Sequence, residues 1–174
     1  MNEAAVLVLS LAADSLIHRG LDLKAIAVLK KALTIAPDNR PLLKRLAKLF
    51  LRCGMKEEAI RHCIRAALAY YRAGQPDKAI AICRKLVALD PSSGAARLAL
   101  AELMVRKGAI NEARRSFLSA AAIFENRGDV KRALKAYTRV ASLQQMKRPE
   151  PGGEETGFDI LPAAAHHAAH HTAI

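Results

Sequence analysis

The chain has 174 residues, 52% of them apolar and 25% charged, which suffices for one ordinary domain and excludes both a disordered polymer and a disulfide-stapled miniprotein. Aromatic residues make up only 4% and Trp is absent, so a sandwich built around a buried Trp and an aromatic base-stacking platform both lack their raw material. Lys and Arg number 28 against 16 Asp and Glu, a formal net charge of +12, which makes an acidic partner the first to consider.

In chain order, the first predicted helix covers 3–19. Its apolar run from Ala4 to Ala13 follows Glu3 with no Lys or Arg before it, the wrong flank for a cleaved signal peptide. No run reaches the roughly 18 apolar residues of a membrane span. Ala25, Val28, Leu29, Ala32 and Leu33 recur at helical spacing and predict a helix over 22–36; Leu43, Leu46, Ala47 and Phe50 predict one over 40–53. Further helices are expected at 56–73, 76–89, 93–107, 110–127 and 130–145. Glycine just past a helix supplies a left-handed C-terminal cap, while Pro37, Pro41, Pro76 and Pro91 stand where a helix stops or begins. Nothing alternates as a strand does, so the class is all-α with about eight antiparallel helices. From Pro149 the composition changes to PEPGGEETGFDILPAAAHHAAHHTAI, which reads as a flexible acidic, His-containing tail over 149–174 after a folded domain over 1–148.

The same letters repeat. Gly20, Gly54, Gly74, Gly108 and Gly128 are each followed within five residues by Ala25, Ala59, Ala79, Ala113 or Ala133. The glycine spacings of 34, 20, 34 and 20 sum to a superperiod of 54, the signature of a solenoid. Ala13, Ala47, Ala67, Ala101 and Ala121 are small enough to let two helices cross closely. Leu29, Cys63, Cys83, Phe117 and Tyr137 read as the fillers of the neighbouring grooves. Each helix pair buries only part of its apolar surface alone and draws its stability from stacking on the next.

This pattern resembles the tetratricopeptide repeat family, whose motif runs from a large residue through Leu, a small residue and a large apolar to Ala, a large apolar, Ala and Pro. Leu9, Ala12, Ala13, Leu16, Gly20, Ala25, Leu29, Ala32 and Pro37 supply it in the first unit. Leu43, Leu46, Ala47, Phe50, Gly54, Ala59, Cys63 and Ala66 supply it in the second, and the resemblance covers about residues 3–145. It departs from the family at the 20-residue spacing: 56–73 and 110–127 run on without a breaker, so one long helix serves two units. The resemblance implies a right-handed superhelical helix-turn-helix solenoid acting as a protein-interaction adaptor or scaffold. First-helix faces would line a concave surface that holds a peptide or a helical segment. In the family's chaperone-tail receptors a carboxylate clamp opens with Lys and Asn. Ser10 and Asp14 stand at those places here, so recognition of a chaperone C-terminus by that clamp is not expected.

On the helix over 40–53, Lys44, Lys48 and Arg52 lie at i, i+4 and i+8 and form one basic stripe, facing either the groove or water. Arg61 and Arg65 extend the positive charge on the next helix, and Tyr71 falls on a face open to a groove. These six are the candidate contacts for an acidic protein or peptide partner. The rival partner is nucleic acid bound without sequence readout: residues 1–148 carry 28 basic and 12 acidic side chains, a net +16, while the remainder carries −4. That charge is spread over many helices with no zinc-finger, RNA-recognition or helix-turn-helix signature, which favours the peptide.

Tyr70 and Phe124 recur one superperiod apart and read as core. Three cysteines without CxxC or zinc spacing fit a reducing, cytoplasmic setting, and Cys63 and Cys83 occupy packing places. His18 and His62 stand far apart with no nucleophile beside them, and GxxxxGKS/T, GxGxxG and HExxH are all absent, so neither an enzyme nor a cofactor is expected. In the tail, His166 with His170 and His167 with His171 are i, i+4 pairs, an incomplete metal site. Leu134, Tyr137 and Val140 on the last helix have no following repeat to cover them, which marks that edge as an interface, either for self-association or for further repeats of a longer parent chain.

Overall fold

The computed structural model describes residues 2–145, and among them eight α-helices follow one another with no strand. They are α1 (Asn2–His18), α2 (Asp22–Ile35), α3 (Arg40–Arg52), α4 (Lys56–Arg72), α5 (Pro76–Leu89), α6 (Gly94–Arg106), α7 (Ile110–Asn126) and α8 (Val130–Gln145). Each helix packs on the next in the chain, and α4 also meets α6, so the architecture is an all-α solenoid. The expected spans agree with the observed ones to within one residue at each end. The tail expected over 149–174, with His166, His167, His170 and His171, lies outside the described residues.

Two kinds of junction punctuate the chain. At the end of α3, Gly54 adopts φ 73°, its N–H donates to the Leu51 carbonyl at 3.1 Å, and the Met55 N–H donates to the Phe50 carbonyl at 2.8 Å. This pair of bonds closes the orphan carbonyls of the last turn, and only a residue without Cβ adopts that φ cheaply. The same bonding ends α1, α4, α6 and α7. The second kind leads from α2 to α3 and from α5 to α6. There the Asn39 side chain accepts from the Leu42 N–H at 3.1 Å and Ser93 Oγ accepts from the Ala96 N–H at 3.3 Å, capping the new helix. Glycine therefore turns the chain back within a tight antiparallel stack, and the capped turn starts the next stack.

The starts of α3, α4 and α5 at 40, 56 and 76 recur at 94, 110 and 130 for α6, α7 and α8, an offset of 54 at each. Two main cores result. One gathers Ala13, Ala25, Leu29, Leu43, Leu46 and Phe50; the other gathers Ala67, Cys83, Leu100, Ala101, Phe117 and Val140. Ala13, Ala47, Ala67, Ala101 and Ala121 are all buried, as close helix crossings require. Among the groove fillers, Leu29, Cys83 and Phe117 are fully buried and Cys63 is half-buried. Tyr137 is 39% exposed, its hydroxyl donating to Glu125 at 3.0 Å. Val140, expected at the uncovered edge, is instead buried in the second core, because α8 turns it towards α6 and α7. Val130, Leu134 and Tyr137 form the exposed apolar line of α8.

Candidate functional site

The cations divide into those already engaged within the chain and those facing solvent. Among the described residues, nine Lys or Arg side chains form ion pairs with nine different acids. Those residues contain 26 Lys and Arg against 12 Asp and Glu, so the basic surplus has no internal counterpart.

Lys44 and Lys48 lie on the exposed line of α3, and among the described residues neither has an acidic partner within 4 Å. Arg52, last in that line, reaches Asp22 at the start of α2 at 3.1 Å; the Asp22 side chain is only 17% exposed, so Arg52 compensates a largely buried carboxylate. On α4, Arg61 pairs with Glu58 one turn back, and Arg65 donates to the Pro37 carbonyl in the α2–α3 turn at 3.4 Å. Tyr71 is half-buried in the second core, with the Arg106 guanidinium 5.0 Å from its ring centroid. The α3 stripe and the α4 arginines thus stand on adjacent helices, with Arg65 leaning over the turn that precedes α3. Tyr70 carries Arg40 over its ring at 5.1 Å, and Phe124 is buried.

Three ties are invisible in local sequence. Arg45 on α3 bonds both Ser10 and Asp14 on α1, so the two residues that replace the clamp pair are occupied by the chain itself. The same arginine lines an open groove of about 500 Å³ together with Glu3, Val6, Ser10, Pro41 and Leu42. On α8, Arg139 grips Glu102 of α6 with two bonds of 2.9 and 2.7 Å, the planar fork that suits guanidinium and carboxylate. Arg72 pairs with Asp38 across the α2–α3 turn. Sequence separations of more than 30 residues hide these pairs from any reading of one helix at a time; comparison of equivalent repeat places is the signal that exposes them.

His62 is buried against Phe50, their ring centroids 5.0 Å apart, and its Nδ1 lies 2.8 Å from the Glu58 carbonyl. A carbonyl only accepts, so Nδ1 carries the proton and the neutral ring suits the place. Burial lowers the His62 pKa from its ordinary 6.5, and the Arg65 and Lys30 charges push the same way against the Glu58 bond. Burial raises the Cys63 thiol and pushes Cys83 up to about 12, so both behave as packing side chains. All three cysteines are free. Among the described residues no three His, Cys, Asp or Glu side chains gather as a metal ion requires, and no helix is long and apolar enough to cross a membrane.

A family model described as tetratricopeptide repeat matches residues 70–137. No curated protein matches the chain. Among solved structures, the crystal structure of MamA protein is 18% identical over 83% of this chain and 94% of that one, with a TM-score of 0.36. The first TPR of Spaghetti (RPAP3), bound to the HSP90 peptide SRMEEVD, is 18% identical over 82% and 92%, with a TM-score of 0.41. The type III secretion translocator chaperone SycD of Yersinia enterocolitica is 14% identical over 83% and 87%, with a TM-score of 0.43. The family model thus matches from the end of α4 into α8, and the Gly-ended helices that precede that stretch keep the same register.

Proposed function

We propose that the chain is a protein-interaction adaptor that holds an acidic peptide or helical segment of a partner on a concave basic surface. The observation that carries this reading is the surplus of 26 cations over 12 acids in residues 2–145, with Lys44 and Lys48 facing solvent unpaired on α3. Lys44 and Lys48 supply charge-assisted contacts. Arg52, Arg61 and Arg65 extend them, since Arg52 and Arg61 remain 46% and 64% exposed beside their internal acids. Tyr71 supplies an apolar anchor under Arg106. The chemistry is recognition without turnover. The free thiols suit the cytoplasm, and the exposed line Val130, Leu134 and Tyr137 on α8 offers a self-association surface.

Nucleic acid is the competing ligand, and salt separates the two. A labelled acidic, amphipathic peptide and a single-stranded oligonucleotide of equal charge are titrated by anisotropy at about 0.1 M and about 0.3 M salt. Peptide affinity that survives the higher salt and drops in Lys48→Glu supports the adaptor. Tighter oligonucleotide binding, lost steeply with salt and indifferent to sequence, sinks it.

A further inference from the structure

We infer that Lys48 on α3 and Lys85 on α5 together hold one carboxylate of the bound segment. This rests on the acidic-peptide reading above and locates its anchoring point. Along the solenoid, charged side chains reach from one helix to the helix two places on. Between α1 and α3 the acid is Asp14 and the cation Arg45; between α6 and α8 the acid is Glu102 and the cation Arg139. In both, an acid on the earlier helix is held by an arginine on the later one.

Between α3 and α5 the place is filled differently. These helices are α6 and α8 set back by 54 residues, with the same starts and the same kinds of junction. Glu102 minus 54 is Lys48, and Arg139 minus 54 is Lys85. The equivalent of an ion pair is therefore two ammonium groups. Both lysines are exposed, and among the described residues neither has an acid within 4 Å. The acids of α5 and its exit turn cannot serve, because Asp77 is engaged by Lys107 and Asp90 by Lys56. A position that elsewhere in this molecule is closed by a carboxylate thus carries its cations and lacks the carboxylate. A glutamate or aspartate side chain of a partner offers two oxygens, one for each ammonium, and restores the arrangement seen at Glu102 and Arg139.

The full chain is tested in two ways. First, thermal melting without ligand: Lys48→Glu and Lys85→Glu each recreate an internal ion pair, so each is expected to raise the Tm by about 2 °C, and the double variant is expected to lose the gain. Additive shifts in the double variant mean that the two side chains do not face each other and overturn the inference whatever binds elsewhere. Second, anisotropy of a fluorescein-labelled peptide of alternating Glu and Ala, about ten residues long, at about 0.1 M salt. Each single variant is expected to weaken binding about tenfold, and the double variant no more than either, because one carboxylate site is lost in every case. Binding lost in Lys44→Glu but untouched in both variants overturns this site and leaves the wider reading standing. No binding by the wild type overturns both. Tighter binding when the glutamates are replaced by phosphoserine assigns the place to a phosphoryl group and overturns the carboxylate.

Discussion

Set forward by 54 residues, α3–α5 falls on α6–α8 with the same helix starts and glycine turns, yet equivalent places hold different chemistry. Where the second unit buries Phe117 completely, the first has the half-buried Cys63. Where Gly94 lies under the buried Phe124, Arg40 lies over Tyr70. Where Glu102 and Arg139 close on each other, Lys48 and Lys85 stand open. At these three places the second unit closes its aromatic and ionic groups within itself. The first pairs more cations elsewhere, Arg45, Arg52, Lys56, Arg61, Arg72 and Arg84 against Lys107, Arg132 and Arg139 in the second, but leaves Lys48 and Lys85 open. One backbone repeat thus carries two sets of side chains at equivalent places, and the difference lies in a few residues.

The largest expected break in this comparison is in the core. Phe117→Ala removes a fully buried ring and is expected to cost about 3–5 kcal/mol in urea denaturation, while Cys63→Ala at the equivalent place costs about 1 kcal/mol. Equal losses would mean that the two units are equally packed. Next is Gly94. A Cβ there lies 2.7 Å from the Phe124 ring, so Gly94→Ala forces that buried ring to shift and is expected to cost about 1–3 kcal/mol, against any gain in helix propensity. Arg40→Ala, at the same repeat place, is expected to stay within about 0.5 kcal/mol because its stacking over Tyr70 is partly solvated. A neutral Gly94→Ala would show that the ring has room to move.

The helices were legible because glycine and proline punctuate them: Gly20, Gly54, Gly74, Gly108 and Gly128 mark five ends, and all five have φ between 70° and 81°. The apolar positions likewise followed from the 3.6-residue period. The use of each cation was not legible, since that depends on which residue the next helix but one presents. Arg52 reads as part of a free stripe with Lys44 and Lys48, yet it answers Asp22, 30 residues earlier in the chain. Ser10 and Asp14 register in the sequence only as a departure from a clamp, and the structure shows them holding Arg45. Lys85 carries no local signal at all. It stands out only once Glu102 and Arg139 are seen paired one superperiod later.

A smaller effect sharpens the ionic contrast. Glu102 and Arg139 are each about a third exposed, so Glu102→Ala and Arg139→Ala are each expected to cost about 1 kcal/mol, and the double variant about the same, the mark of a direct pair. Lys85→Ala is expected to leave stability within about 0.5 kcal/mol, because nothing internal depends on it. A loss on Lys85→Ala as large as on Arg139→Ala would place a hidden acceptor beside Lys85 and remove the asymmetry between the two units.

The smallest expected effect is the dependence of stability on pH, and it too belongs to one unit. The counterpart of His62 is Ser116, whose hydroxyl faces the Met104 sulfur at 3.9 Å and does not titrate in this range. Burial is the main reason that His62 has a pKa below 6.5 when folded; Arg65 and Lys30 add to it, and the Glu58 carbonyl and carboxylate oppose it. The unfolded chain therefore takes up this proton more readily than the folded one, so the histidine's contribution is complete above pH 6.5 and declines as the pH falls below that value towards the folded pKa. Over the same window Asp77, Asp90 and Asp129 stay ionised, since hydrogen bonds from Lys107, Ser92 and the Arg132 N–H hold their carboxyls below the usual carboxylate range. Urea unfolding at about pH 7.5 and about pH 5.5 is expected to show a loss of stability in the wild type that shrinks in His62→Ser, a change that gives the first unit the residue of the second. If the loss is the same in both proteins, the proton goes elsewhere, and the buried imidazole on Phe50 is matched by a neutral, equally buried ring in the unfolded ensemble rather than by a solvated one.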